Sequence, residues 1–443
     1  MTADHSSTED EYLERVADTW LDNERRSGRI DRRQAIRFGA LGVTAFIAAA
    51  KVGPFGGAQA DATERRPYPQ LPPSPPPLPP SGPFFKAVPP EWFNVYGTNA
   101  EMRWDTVAGT GYTTANERFY VRSHTGSVGI DAATWQLKIF GSGLRGEPDI
   151  DHAFTLSYEQ LRRLPSQTTT SFLECAGNGR SYFGSQQGTP APGTPWALGA
   201  IGVARWRGVP LREVLQRAGI KRSAVDVLPQ GLDADFISGG TNLGKVRRPL
   251  PVSKALDDAL LVYEMNGEPL PPDHGFPVRL IVPGWIGVAS IKWLGQIEVA
   301  DQPLFSPFNT TLYRLIGPSY PADQPPITTQ VVKSAFELAN NAPFTLNKKS
   351  VLTGRSWSGN APIKEVRIST DGGTSWKRAH LQDQWNRNGW QRWELPWRPR
   401  TAGTQTLLAR ATDRTGATQP DTVPINTGGY LFDGVVRHPV LVQ

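Results

Sequence analysis

The chain has 443 residues, enough for two or three domains with their own hydrophobic cores. Its 38% hydrophobic and 20% charged residues are typical of a soluble globular protein. The formal net charge is +6, and the basic residues are spread along the chain rather than gathered in runs interleaved with aromatic residues. This argues against nucleic-acid binding, whereas a mild positive bias suits a small anionic ligand.

The first 60 residues have the pattern of an export signal. A predicted amphipathic helix over 8–26 is followed by Arg32 and Arg33, the apolar run 38–50 and a small-residue site at Ala58–Ala60. A basic head, a short apolar core and a small-residue end indicate a signal of the twin-arginine type. We therefore expect an exported, periplasmic or extracytoplasmic protein, with the signal cleaved after Ala60 or retained as an anchor. An ordinary buried helix is the alternative.

Composition divides the rest of the chain. Residues 67–80 are so rich in proline that they predict polyproline II, a stiff solvated spacer. We take 61–83 as a linker, 84–300 as a first folded domain, 301–326 as a connector and 327–443 as a second domain.

The first domain mixes strands and helices without the regular alternation of a Rossmann sheet, which favours an α+β fold. Strands are predicted at 135–140, 171–174, 277–282 and 291–299. A helix over 157–164 would begin after Ser157 as N-cap, and a second over 210–218 would end at Gly219.

The second domain is predicted to be all β. Short strands with turn signals between them fall at 351–354, 363–369, 376–379, 390–395 and 403–411. This spacing is typical of an immunoglobulin-like β-sandwich. No cysteine pair joins its sheets, so we expect tryptophans to fill its core.

Cys175 is the only cysteine in the chain. Alone it cannot form an internal disulfide, hold an iron–sulfur cluster or complete a cysteine-rich zinc site. It is therefore a buried inert thiol, a nucleophile, or a single soft ligand to a metal held mainly by another group. The glycines of Ala176–Gly179 predict a tight turn that lets a bulky group approach, and Arg180 adds a permanent cation.

Two long strings carry a family resemblance. Phe172-Leu-Glu-Cys-Ala-Gly-Asn-Gly-Arg180 closely resembles the molybdenum-binding segment of the sulfite oxidase family. The string from Tyr263 through Asp273-His-Gly-Phe-Pro-Val-Arg279, with Ile291-Lys-Trp-Leu-Gly295 after it, resembles that family too. The resemblance runs from about Pro83 to the C-terminus. It implies that 84–300 is a molybdopterin-binding catalytic domain and that the β-sandwich mediates dimerisation.

The resemblance also implies a molybdenum–molybdopterin cofactor with the Cys175 thiolate as metal ligand. A soft sulfur suits a metal already held by sulfurs, and a large phosphate-bearing anion needs charged and backbone donors. The family's motifs place further cofactor-binding residues at Tyr120, Val121, Arg122, Ser123, His124, Asp233, His274, Arg279, Ser290, Ile291 and Lys292. Each residue alone has a purely structural explanation, but their order and spacing favour the joint interpretation.

For the reaction, the resemblance implies oxidation of sulfite to sulfate by oxygen-atom transfer. The family's substrate arginines fall at Arg122 and Arg180, its pocket tryptophan at Trp196 and its active-site tyrosine at Tyr313. We expect no haem or iron–sulfur cluster in this chain, and hence a separate electron acceptor such as a c-type cytochrome. One departure is that Ile425–Tyr430 lacks the arginine that animal members carry there.

Other functions stay open at this point. A related molybdoenzyme would act on sulfane sulfur or on sulfoxides. A binding protein would keep the fold without catalysis. A cysteine hydrolase would use Cys175 as nucleophile, with His124 or His274 as its base.

Overall fold

The computed structural model describes residues 82–383 and 386–443. The predicted N-terminal helix, export signal and proline-rich segment lie outside these residues. Within them, no helix is long and apolar enough to cross a membrane.

The described part is mostly β. Its strands in chain order are β1 (Phe93–Tyr96), β2 (Asn99–Met102), β3 (Gln136–Phe140), β4 (Phe154–Ser157), β5 (Gln167–Glu174), β6 (Ile201–Pro210), β7 (Asp226–Gly231), β8 (Ile237–Ser238), β9 (Thr241–Asn242), β10 (Leu250–Pro251), β11 (Leu260–Met265), β12 (Glu268–Pro269), β13 (Arg279–Ile281), β14 (Leu294–Ala300), β15 (Lys333–Phe336), β16 (Ala342–Phe344), β17 (Ser350–Trp357), β18 (Ile363–Ser369), β19 (Lys377–Arg378), β20 (His380–Leu381), β21 (Gln391–Trp397), β22 (Gly403–Asp413) and β23 (Arg437–Val442).

Helices are few and short. The α-helices are α1 (Tyr158–Arg162), α2 (Ser181–Ser185), α3 (Leu211–Arg217), α4 (Val252–Asp257) and α5 (Pro307–Thr310). Single 3₁₀ turns lie at Trp104–Val107, Pro272–His274 and Gly287–Ala289.

The first domain is built on two sheets. One has the order β10-β7-β14-β3-β4, in which β14 and β3 are parallel. The other has the order β12-β11-β6-β5, with β13 also paired to β11. Apolar side chains of β3, β7, β11, β14 and α3 form one buried core. This core supports the strand ends from which the candidate site is made.

In the first domain, helix ends predicted from local sequence signals agree with the structure. Ser157 caps α1 with a full capping box, because its Oγ accepts from the Gln160 N–H and the Gln160 side chain accepts from the Ser157 N–H. Gly219 follows α3 with φ +84°, a left-handed conformation that favours glycine. The strand predicted at 291–299 begins later, at Leu294, since the residue before it, Trp293, has a left-handed backbone conformation (φ 50°).

The second domain is the predicted β-sandwich. One sheet has the order β15-β17-β21-β20 and the other the order β16-β23-β22-β18-β19. The architecture of a mixed domain followed by a β-sandwich is therefore confirmed, and the domain limits themselves stay a prediction.

The tryptophans only partly meet the expectation for the sandwich core. Trp393 is fully buried inside it. Trp357 and Trp390 instead pack with Phe172 and Trp104 of the first domain, in a hydrophobic core that both domains share. Trp357 and Trp390 of the sandwich thus bury apolar surface of the first domain as well as of their own.

Candidate active site

Cys175 directly follows β5, in the middle of a well-bonded turn. The Cys175 N–H donates to the Ala200 carbonyl at 2.9 Å, and the Asn178 N–H donates to the Cys175 carbonyl at 3.0 Å. The Gly177 N–H lies 3.4 Å from its Sγ. The side chain is free and only 7% exposed. The thiol is therefore held in one place by backbone hydrogen bonds.

Cys175 lines a cavity of about 690 Å³, open solvent at its mouth included. Most of the predicted site residues line the same cavity: Tyr120, Arg122, Ser123, His124, Asp233, His274, Arg279, Ser290, Ile291, Lys292 and Tyr313. The structure thus brings together residues from chain segments almost 200 positions apart.

Three cations face this cavity. Arg122 lies near the Cys175 side chain; burial opposes its charge, but Tyr313 and Cys175 nearby raise the pKa of its guanidinium. Arg279 donates to the carbonyls of His274 (3.0 Å) and Ser290 (2.8 Å), and burial lowers its pKa to about 10.

The third basic side chain is that of Lys292. Its Nζ donates to Ser123 Oγ at 2.6 Å and to the Asp273 carbonyl at 2.8 Å. Burial, followed by the charge of Arg279, lowers the pKa of Lys292 well below its ordinary value. An anion entering the cavity would restore the charge of this amine, because it would offset the cost of burial.

The two histidines are neutral near pH 7. Burial, with the nearby cations, lowers the pKa of both His124 and His274 well below 6.5. His124 Nε2 lies 3.1 Å from the Tyr313 hydroxyl, and its ring packs edge-on against Phe236 and Phe308. His274 Nε2 is buried and has no hydrogen-bond partner among the described residues.

Tyr313 links the cavity to the sandwich end of the chain. Its ring stacks on Tyr430, with centroids 5.1 Å apart and planes 21° from parallel. Burial raises the pKa of both hydroxyl groups. Tyr430 was not predicted as a site residue, although it belongs to the segment in which the expected arginine is missing.

Three predicted residues do not line the cavity. Val121 is buried in a small cluster and bonded to Ala100. Trp196 packs edge-on behind Tyr120, at 6.4 Å. The Arg180 guanidinium donates to the carbonyls of Gly428 (3.0 Å) and Thr194 (2.8 Å). Their predicted roles stay predictions.

The cavity also includes residues that were not predicted from the sequence. Asp273 lies beside His274, and its carboxylate accepts the N–H groups of Phe85 (3.0 Å) and Lys86 (2.8 Å). Trp293 carries the Lys292 amine over its ring at 4.1 Å. Both stand inside the quoted strings, so their position next to predicted residues was the available signal.

These residues fit a large anionic cofactor. Arg122, Arg279 and Lys292 supply positive charge, and the unpartnered His274 Nε2 supplies a polar atom that burial makes costly to leave unbonded. The described residues contain no group of three His, Cys, Asp or Glu side chains that could hold a metal by themselves. A metal here would have Cys175 as its soft protein ligand and would need the rest of its ligands from the cofactor.

Comparison with known proteins agrees with this arrangement. Residues 124–308 match the family "Oxidoreductase molybdopterin binding domain", and residues 327–438 match the "Mo-co oxidoreductase dimerisation domain". The sulfite oxidase of Gallus gallus is 35% identical over 341 residues, which cover 72% of this chain and 71% of the relative. This chain belongs to the sulfite oxidase family. The predicted resemblance is confirmed.

Two other proteins are also similar to this chain. The mitochondrial sulfite oxidase of Mus musculus is 34% identical over 352 residues, 75% of this chain and 62% of the relative, so this chain spans less than two thirds of that protein. The solved structure of the sulfane dehydrogenase SoxCD from Paracoccus pantotrophus matches with a TM-score of 0.68 and 26% identity, over 88% of this chain and 95% of that one.

Proposed function

We propose that this protein is a molybdopterin-dependent oxidoreductase that oxidises sulfite to sulfate and passes the electrons to a separate acceptor, such as a c-type cytochrome. In this reaction sulfite and water give sulfate, two protons and two electrons. The observation that carries the proposal is that the Cys175 thiol lines one cavity together with Arg122, Arg279 and Lys292. When bound, the molybdenum–molybdopterin cofactor supplies the oxygen-atom and electron transfer.

The protein's own residues divide into two tasks. Arg279, Lys292 and His274 would hold the anionic cofactor, because their donors face the cavity and His274 Nε2 is unbonded among the described residues. Arg122 would bind a sulfite oxygen, since a guanidinium fork matches a small oxyanion. The Tyr313 hydroxyl, bonded to the neutral His124, would orient the substrate or donate a hydrogen bond to it.

The test uses the full chain purified from a host that makes the cofactor. Elemental analysis should find molybdenum, and sulfite should drive reduction of cytochrome c or ferricyanide. Cys175→Ser should abolish turnover. Ser171→Ala, which removes another buried side-chain group from β5, should leave it nearly unchanged because Ser171 does not line the cavity. Molybdenum without sulfite-dependent reduction would contradict the proposed substrate.

Oxidation of protein-bound or other sulfane sulfur is the second candidate. It is favoured by the similarity to the sulfane dehydrogenase SoxCD, which extends over 95% of that solved chain. The Arg180 guanidinium, bonded to two carbonyls and packed over Tyr430 at 5.6 Å, also has fewer N–H donors left for sulfite than predicted and does not line the cavity. A persulfide-bearing peptide assayed beside sulfite, at equal concentrations, separates the two substrates by their kcat/KM.

Location and assembly complete the proposal. The twin-arginine-type pattern supports export, and the match to a dimerisation domain supports a homodimer. N-terminal sequencing of exported protein tests cleavage after Ala60; an intact Met1 would contradict it. Light scattering of the purified chain tests the dimer, and a monomer mass at micromolar concentration would contradict that assignment.

A further inference from the structure

The carboxylate of Glu174, the residue directly before Cys175, is completely buried. Side chains alternate along β5, so Leu173 and Cys175 face the cavity whereas Phe172 and Glu174 face the opposite side, toward the second domain. A buried carboxylate requires charged or hydrogen-bonding partners to be tolerated. The identity of those partners therefore matters for the strand end that carries Cys175.

The β-sandwich supplies two of these partners. Lys333, on β15, places its Nζ 2.7 Å from Glu174 Oε1, and both side chains are at most 2% exposed. Trp357, on β17, donates its Nε1–H to Glu174 Oε2 at 3.0 Å. From the first domain, Asn178 Nδ2 donates to Oε1 at 2.9 Å. Both carboxylate oxygens are thus bonded, one of them across the domain boundary to a cation.

Lys333 and a further residue of the second domain, Gln330, also hold the backbone on both sides of Cys175. Lys333 Nζ donates to the Asn178 carbonyl at 2.8 Å, after the turn. Gln330 Nε2 donates to the Glu174 carbonyl at 2.8 Å, before it. The Asn178 side chain in turn accepts from the Ala200 N–H at 3.1 Å. The four residues from Cys175 to Asn178 are therefore tied at both ends.

We propose that Lys333 is a positioning residue that holds the Cys175 turn from the second domain, acting through Glu174 and Asn178 together with Gln330 and Trp357. This positioning role rests on the proposed function only because it takes Cys175 as the metal ligand. A ligand thiol has to keep its place within a few tenths of an ångström, and groups behind a ligand usually provide this. The turn contains Gly177 and Gly179, whose backbone freedom makes such support necessary.

A buried ion pair between domains does not by itself indicate a role in positioning. Such pairs are weak sources of stability, because desolvation offsets their attraction. A second pair provides the comparison: Arg355, on β17, is buried against Glu337 and donates to the Gly111 carbonyl (3.2 Å) and Thr110 Oγ1 (2.9 Å) of the first domain. It connects the same two domains but touches no residue of the Cys175 turn.

The experiment compares Lys333→Met with Arg355→Met in the full chain. Both should lower stability. Only Lys333→Met should increase the rate at which an uncharged thiol reagent alkylates Cys175, because a turn without this support opens more often. Only this variant should also lower kcat by about 10- to 100-fold, the usual effect of removing a group that supports a metal ligand. Because Cys175 is the only cysteine, mass spectrometry measures the alkylation rate without ambiguity. Amide exchange in the peptide covering 170–180 should increase in the same variant.

Steady-state kinetics give a second, independent measurement. Lys333→Met should lower kcat and the molybdenum content, while KM for sulfite stays close to the original value, since Lys333 does not line the cavity. Equal alkylation and exchange in the Lys333 and Arg355 variants would overturn the proposal. So would a change confined to KM.

If Lys333→Met does not fold, the double variant Glu174→Gln/Lys333→Met keeps the test decisive. It removes the buried charge together with its partner, which is far less destabilising than removing the partner alone. Fast alkylation of Cys175 in this folded variant would support the proposal, and the original slow rate would refute it. Protein without molybdenum would refute the proposed function, whereas alkylation and exchange would still test Lys333.

Discussion

Glu101→Gln should change how the stability of this protein depends on pH. Glu101, on β2, is 1% exposed, and its Oε1 accepts the Gly199 N–H at 3.0 Å. Burial raises the pKa of its carboxyl group from 4.5 to about 7. The folded protein therefore keeps a proton on Glu101 over a range in which the unfolded chain has already released it.

The sign and the size of the effect follow from this difference. A raised carboxyl pKa means that the folded state binds more protons than the unfolded state between pH 4.5 and about 7, so the free energy of unfolding falls as the pH rises through that range. Each pKa unit corresponds to about 1.36 kcal/mol, so the full change is about 3 kcal/mol. It is complete above pH 7.

The assay is urea denaturation at several values between pH 4 and 8, for the original chain and for Glu101→Gln. The variant resembles the protonated form, so its free energy of unfolding should exceed that of the original chain by an amount that grows by about 3 kcal/mol across this range. Glu91→Gln, at an exposed position, controls for the substitution itself. Parallel pH curves for the Glu101 variant and the original chain would refute this account of the buried carboxyl.

Three further outcomes are expected. Tyr313→Phe loses the hydroxyl 3.1 Å from His124 Nε2, and kcat/KM for sulfite should fall about fivefold at unchanged molybdenum content, since one hydrogen bond contributes about 1 kcal/mol. Lys292→Met removes a cation from the cavity, and elemental analysis should find clearly less molybdenum per chain. Gly208→Ala places a methyl group 2.0 Å from the Leu261 carbonyl oxygen on the neighbouring strand, and urea denaturation should show a loss of about 3 kcal/mol.

Each of these variants has a matched control. Phe236→Leu alters another neighbour of His124 without removing a hydroxyl, and a loss of activity equal to that of Tyr313→Phe would argue against a specific role of the Tyr313 oxygen. Lys348→Met removes an exposed cation and should leave molybdenum unchanged. Gly111→Ala adds a methyl group with nothing within 4 Å, so equal destabilisation would contradict the steric explanation for Gly208.

The sequence predicted much of the fold because the signals it carries are local. The capping box at Ser157 depends on residues three positions apart, and the glycine after α3 depends on one backbone angle. The cavity was predicted for another reason: the order of the family's motifs indicated which segments converge. Tyr120, His274 and Lys292 therefore line one cavity as the resemblance implied.

What the sequence did not predict depends on contacts between distant segments. The direction of the Arg180 guanidinium is set by the Gly428 carbonyl, 248 positions away. The ion pair of Glu174 with Lys333 joins residues 159 positions apart, and neither lies in a pattern that names the other. Nothing in the strand pattern around Trp357 distinguishes it from a residue of the sandwich core. It contacts the first domain only because the two domains pack together in the folded chain.

A single hydrophobic core crosses the domain boundary and contains Trp357, Trp390 and Phe172. The two domains are therefore difficult to produce separately. Excising either half would expose several large aromatic rings to water, which favours aggregation. We therefore expect calorimetry of the intact chain to record a single endotherm for both domains. Truncated versions ending near residue 326 are expected to accumulate in inclusion bodies, so biochemical work needs the whole polypeptide.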